Sequence, residues 1–350
     1  MKLFTFDTLP GQDSMTTFHT LAREGIECLC LVSPQTPIIS VGYFQDAAQE
    51  IDLDYCASNN LPVMRREVGG GATYLDANQV FYQVILRRDN PLASRKISQL
   101  YQILSAPTIE TYREFGIETK FRPVNDIVTV EGERKIAGEG AGNIGPCVVF
   151  VGGILIDFDY DTMVKVLKVP DEKFRDKIYK SMQEHVTTIY RETGKRLSRA
   201  EIRKVLIEKF SALLGPLEPA LFTQELQANR EEITNRMLDE GFLYKRTMKK
   251  PGEVRIRSGV EFIMRMHKAP GGLIRTASEI HENRLADVTI SGDFTLLPLE
   301  GLPRIEDGLK GAYRTRGEVG TRIDRVISEQ GLDLPGVSVE DMLLALKIED

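Results

Sequence analysis

The sequence predicts an α+β protein in two domains, and three observations carry that expectation. The chain has 350 residues, more than one hydrophobic core ordinarily holds. Strand-like and helix-like stretches are interspersed up to about residue 248. From Gly252 the texture changes to three strand-like runs followed by three helical ones. Lys249, Lys250 and Pro251 mark the boundary, which gives domains 1–248 and 252–350, with 191–248 as a helical extension or linker.

Taken in order, Asp13–Glu24 reads as a helix with Asp13 or Ser14 as its cap. Ile26–Val32 and Pro37–Tyr43 are β-branched runs split by Ser33 and Pro34, so both read as strands. Ile51–Asn59 is a short helix, and Pro62–Arg66 a strand entering a glycine loop. Asn78–Arg87 alternates, with Val80, Tyr82, Val84 and Leu86 on one face. Lys96–Phe115 reads as a helix crossed by Pro107. Short strands follow at Glu118–Phe121, Ile127–Val130 and Lys135–Ile136, then a long one at Val148–Phe158. Asp161–Leu167, Asp171–Ser181, Ser198–Leu214 (Ser198 as cap) and Thr223–Gly241 read as helices. The last part predicts strands at Val260–His267, Leu273–Ile280 and Leu285–Ser291, and helices at Ile305–Gly311, Gly320–Ser328 and Val339–Leu346.

Composition narrows the function. With 42% hydrophobic and 27% charged residues the chain has the make-up of a soluble globular protein. A net charge of −6 leaves no basic excess for a nucleic-acid partner. No apolar run reaches the ~18 residues of a membrane span, and Met1–Asp7 lacks a signal-peptide core. The four cysteines, Cys28, Cys30, Cys56 and Cys147, show no Cys-x-x-Cys and no zinc spacing. Cys28 and Cys30 fall on one face of a strand, as core residues do. A reducing cytoplasm is the expected setting.

Two stretches carry chemistry. In Met64–Tyr82, Arg65 and Arg66 lead into Gly69, Gly70 and Gly71 and then a strand. Glycine lets backbone approach a ligand closely, and arginine forks suit carboxylate or phosphate oxygens. Strand alternation points Arg65 away from the face Arg66 occupies. In Pro123–Gly138, Asn125 and Asp126 open a strand, Gly132 turns it, and Lys135 returns on the next. A carboxylate and a lysine so placed can hold a metal and an acyl or phosphoryl oxygen. Gly140–Gly145 matches Gly-x-Gly-x-x-Gly only in letters: a charged hairpin precedes it, and Pro146 and a strand follow where a helix belongs. The glycine triplet lacks the Gly-Lys-Ser/Thr ending of a P-loop. His281 and Glu282 have no second histidine to make a zinc site. No histidine pairs with a serine or cysteine as a hydrolase requires.

Together and in this order, the two stretches resemble the lipoate–protein ligase family. Its Arg-Arg-x-x-Gly-Gly-Gly-Ala-x-x-x-Asp segment matches Arg65 to Asp76. Its Asn-Asp strand matches Asn125–Asp126, and its Gly-x-x-Lys-Ile-x-Gly hairpin matches Gly132 to Gly138. Pro37–Gln45 resembles the family's strand and Gly-x-x-Gln turn. His185–Ile189 stands where the family writes Arg-Val-Thr-Asn-Leu. Val288–Phe294 and Leu309–Gly311 resemble its accessory domain. Most of the chain is covered, least so Arg191–Arg257.

The resemblance implies a mixed-sheet catalytic domain of the biotin/lipoate ligase type with a small α/β accessory domain. It implies that lipoate and ATP form lipoyl-adenylate, and that a lysine of a lipoyl-acceptor protein takes the lipoyl group. The acceptor would be a dehydrogenase-complex lipoyl domain or an H-protein-like carrier. Lys135 would be catalytic. Arg66, Gly69, Gly70, Gly71, Ala72, Asp76, Asn125 and Gly138 would bind substrate or adenylate, and Asp126 would bind Mg²⁺. The chain departs from the pattern at Val68, Leu75, Glu139–Gly140 and Val151, around the expected substrate pocket. One rival keeps the fold, an octanoyl or lipoyl transferase; biotin ligation lacks its Gly-Arg-Gly-Arg type of loop here, and a rival of another class is a non-catalytic binder of lipoyl domains. Related transferases carry a cysteine just before the Asn-Asp strand, and Glu118–Asn125 contains none.

Overall fold

A computed structural model describes residues 1–248 and 260–348. The expected boundary at Lys249–Gly252 lies outside the described residues. The α+β expectation is met: a six-stranded mixed sheet forms the centre of the first part. Its order is Gly140–Ile144, Cys147–Leu155, Gln79–Arg87, Cys28–Val32, Lys2–Thr5, Glu218–Pro219. The first four strands pair antiparallel, and Lys2–Thr5 runs parallel to both its neighbours.

Both faces of the sheet's centre are covered, so Cys28–Val32, Gln79–Arg87 and Cys147–Leu155 are mostly apolar. Val80, Tyr82, Val84 and Leu86 share one face with Phe150 and Ile154, under the helices Ile97–Leu104, Ala106–Glu114 and Arg199–Leu214. Cys28, Cys30 and Ile85 face the other way, against Met15 and Phe18 of the helix Gly11–Arg23. All four cysteines are free and buried. The single helix expected across Pro107 is two helices that meet at Ser105, because proline fits a helix's first turn and not its interior. The helix Gly11–Arg23 starts after Pro10 with no side-chain cap, so Asp13 and Ser14 lie inside it. Ser198 does cap its helix, in a reciprocal capping box with Glu201.

Two small three-stranded sheets flank the large one. Ile38–Val41 pairs with Val63–Arg65 and Thr73–Leu75. Asp126–Thr129 pairs with Thr119–Arg122 and Lys135–Gly138. The stretch 191–248, expected as a helical extension or linker, packs on this domain. Phe210 lies against Tyr82 with ring centroids 5.3 Å apart, and Arg230 pairs with Asp13 at 3.0 Å.

Residues 260–348 form an antiparallel sheet of Val260–Ala269, Gly272–His281 and Arg284–Gly292. The helices Gly301–Leu309, Arg316–Gln330 and Val339–Ala345 cover it. The sheet's loop end meets the first part: Phe294 stacks on Phe44 at 5.2 Å and 11°, and Gly292 N donates to Phe44 O at 2.9 Å. Apolar packing therefore runs without a break between the two parts. Among the described residues no helix is long and apolar enough to cross a membrane.

Candidate active site

The Lys135 hairpin and the glycine loop face each other across a cavity of 360 Å³. Arg66, Gly70, Gly71, Ala72, Asn125, Lys135 and Gly138 all line it. Residues spread over more than seventy positions of sequence thus converge as the motifs require. Gly69, Asp76 and Asp126 do not line it.

Lys135 Nζ lies 2.6 Å from Asp126 Oδ1, and Asp126 Oδ2 accepts from Arg122 at 2.9 Å. Burial raises the Asp126 pKa, but Lys135 and Arg122 outweigh it and hold the carboxyl below its ordinary value. The lysine curls over Gly138, where an added Cβ would sit 2.8 Å from Nζ. Both oxygens of Asp126, the residue expected to bind Mg²⁺, face cations, and in the structure it is the counter-ion of Lys135. A magnesium ion carried by ATP takes only one or two protein carboxylates beside the phosphates.

The arginines also differ from a pair of free forks. Arg66 is 9% exposed, and its guanidinium donates to Ser40 O, Gly69 O and Gly71 O at 3.0, 2.9 and 2.7 Å. Burial lowers its pKa to about 10, so it stays charged at neutral pH. It pins the glycine loop to the neighbouring strand and shows the cavity the remainder of its surface. Arg65 points to the opposite side, as alternation requires, and donates to the carbonyls of Gly42, Tyr43, Gln45 and Phe242. Gly70 holds φ at +94°, a conformation that favours glycine. Gly69 is pressed against Thr295 and Phe294, so its bare backbone meets the second part of the chain and not the cavity. Asp76 accepts from Asn78 N at 2.9 Å and shapes the turn into the strand Gln79–Arg87.

Sequence reading missed most of the cavity's apolar lining. Met15 and Phe18, one turn apart on the first helix, form one wall; Phe81, Val151 and Leu155 belong to the sheet; Phe158, Met163 and Met182 close another side. The helical spacing of Met15 and Phe18 was visible, but it marks any buried face. His19 anchors this helix to the loop: its Nδ1 bonds Met15 O at 2.8 Å and its Nε2 accepts from Glu67 N at 3.0 Å. Burial pushes its pKa down to about 4, in keeping with that neutral tautomer.

Glu139, one of the departures from the family pattern, is 5% exposed. Burial pushes its carboxyl up to about 8. Tyr82 Oη donates to Oε1 at 2.8 Å. Ser105 Oγ lies within reach of both Oε2 and the Tyr101 carbonyl, 2.6 Å from the latter. A hydroxyl has one proton to give, so a protonated Glu139 donates to Ser105, which donates to Tyr101. Its backbone exchanges hydrogen bonds with Asn125, through Glu139 N to Asn125 O at 2.9 Å and Asn125 Nδ2 to Glu139 O.

A lysine, buried polar backbone and an apolar slot in one cavity suit a carboxylate with a hydrocarbon tail. Comparison with known proteins agrees. The family described as lipoyl protein ligase A/B catalytic domain matches residues 13–211. The chain is 32% identical over 184 residues to lipoate-protein ligase A subunit 1 of Thermoplasma acidophilum, covering 50% of this chain and 68% of that protein. It is 25% identical over 232 residues to octanoyltransferase LipM of Kyrpidia tusciae, covering 60% and 84%. Among solved structures, that of a bipartite lipoate protein ligase and its E2 lipoyl domain from Thermoplasma acidophilum superposes with a TM-score of 0.62. Its sequence identity is 26%, and the match covers 73% of this chain and 98% of that one.

Proposed function

Because the chain belongs to the lipoyl protein ligase A/B family, matched over residues 13–211, we propose that it is an ATP-dependent lipoate–protein ligase. It takes lipoate and Mg-ATP as substrates and delivers the lipoyl group to a lysine of a lipoyl-domain acceptor. The observation that carries this reading is Lys135, held by Asp126 at 2.6 Å at the wall of an apolar cavity.

In the first step a lipoate carboxylate oxygen attacks the α-phosphorus of ATP and pyrophosphate leaves. Lys135 turns part of its charge from Asp126 to the carboxylate and α-phosphoryl oxygens, where negative charge concentrates. Arg66 keeps Gly70 and Gly71 in place against the adenylate. In the second step the acceptor lysine's neutral amine attacks the acyl carbon, AMP leaves, and the amine sheds a proton as the amide forms. No enzyme nucleophile is needed. Apolar walls keep water from the acyl-adenylate.

Relatives named octanoyltransferase make carrier-dependent acyl transfer the reading to test against. Where such transfer passes through an acyl-enzyme it needs a nucleophile in the site, and among the described residues no cysteine lines the cavity. All four are buried, and burial pushes the Cys147 thiol up to about 11, which makes it a poor nucleophile. The test is mass spectrometry of an acceptor lipoyl domain after incubation with the protein. Lipoate and ATP should add a lipoyl group to its lysine. Acylation from an octanoyl carrier without ATP, with none from lipoate and ATP, would overturn the ligase reading.

A further inference from the structure

One polar side chain in the cavity is left without a partner by the fold. Gln83 is 4% exposed, lines the cavity, and its Oε1 finds no hydrogen-bond partner among the described residues. It stands on the strand Gln79–Arg87 opposite Val151, and Val151 in turn stands opposite Gly140. Gly140, Val151 and Gln83 therefore form a cross-strand row on one sheet face, with Gln83 roughly 10 Å from Gly140 at two strand spacings. Gly140 comes two residues after Gly138, the glycine covered by the Lys135 ammonium. An acyl chain with its carboxylate at Lys135 and its tail along Val151 and Phe81 ends against the Gln83 amide, beside Met15 and Phe18.

A buried amide oxygen with no partner is unfavourable, and a plain alkyl tail packed against it leaves it so. A tail that ends in a heteroatom relieves it. A thiol or hydroxyl donates to the amide carbonyl; turned over, the amide N–H donates weakly to a ring sulfur, which is also polarizable. We propose that Gln83 selects the acyl group: the site takes a medium-chain acid with a heteroatom at its distal end, sulfur in lipoate, in preference to the plain alkyl acid of the same length. The proposal rests on the reading of the cavity as an acyl-carboxylate site and names which acid that site prefers.

Calorimetry with lipoate, octanoate and ω-hydroxyoctanoate, on wild-type protein and on Gln83→Met, tests it. Wild type should bind lipoate and the hydroxy acid more tightly than octanoate. In Gln83→Met that preference should shrink by about tenfold, the worth of one hydrogen bond to a buried group, chiefly through tighter octanoate binding. Gln83→Leu serves as a second variant of similar volume, and thermal melts establish that each is folded. An unchanged preference in the folded variants, or equal binding of hydroxy acid and octanoate by wild type, overturns the role of Gln83 and leaves the ligase reading standing. Binding of none of the three acids to wild type removes the acyl site itself, and both proposals with it.

Discussion

At the scale of single residues, the site depends on charges that are held rather than free. Lys135→Ala should leave the fold intact, since the side chain is 39% exposed. It should cut lipoyl-adenylate formation by roughly 100-fold or more, the effect of losing a positioned charge-stabilising donor. A variant within a few-fold of wild type in single-turnover adenylation would remove Lys135 from the mechanism. Glu139 makes a different prediction. Its carboxyl is raised from an ordinary 4.5 to about 8 in the fold, so between these values the folded protein holds a proton that the unfolded chain releases. Stability should therefore fall as pH rises from 4.5 to 8, by at most about 1.4 kcal/mol per pH unit for one proton. Glu139→Gln, which keeps the shape without the ionisation, should lack this slope. Chemical denaturation across that range reads it directly, and parallel profiles for the two proteins would show that Glu139 does not titrate as described. Cys147→Ser should retain ATP-dependent lipoylation, and intact-protein mass spectrometry should find no acyl-enzyme.

At the scale of elements, the turn Gly42–Gln45 and the loop Gly69–Gly71 form one unit. A Cβ on Gly42 would lie 1.8 Å from Gly70 O, whereas one on Gly71 would meet nothing nearer than 3.8 Å. Gly42→Ala should displace the loop, lowering both the melting temperature and adenylation, while Gly71→Ala should fold normally. Equal melting temperatures for wild type and Gly42→Ala would show that the loop yields without cost. These elements were legible in the sequence because each carries a local signal. Alternation in Gln79–Arg87 and the Ser198 cap both act within a few residues. The strand Gly140–Ile144 was not read as one, because four of its five residues are glycine, alanine or asparagine; pairing with Cys147–Leu155 makes it a strand. The partners of Arg66 were equally hidden, since a guanidinium bound to the carbonyls of Ser40, Gly69 and Gly71 leaves no pattern in residue types. Gln83 stood in plain view on a strand, but only the folded structure shows that its amide oxygen is unpaired.

At the scale of the molecule, the part from Val260 onward is seated on the glycine loop Gly69–Gly71. Gly70 N approaches Phe294 O at 3.4 Å, Arg275 pairs with Glu50 at 2.8 Å, and Arg246 pairs with Glu306 where both are largely buried. A partner lost from a buried pair typically costs about 3–5 kcal/mol, so Glu306→Ala should loosen the two parts from each other. We expect loosening to affect adenylation more than transfer, because the loop under Phe294 is the one proposed to face the adenylate. Comparing single-turnover rates of the two half-reactions in Glu306→Ala checks this; an equal fall in both would separate the contact from the first step.

Activation of a free acid by ATP at this site is measured most directly by lipoate-dependent exchange of labelled pyrophosphate into ATP, with no acceptor present. Exchange should require lipoate, survive Cys147→Ser and be lost in Lys135→Ala. Folded wild-type protein that binds lipoate but shows no exchange would rule this chemistry out.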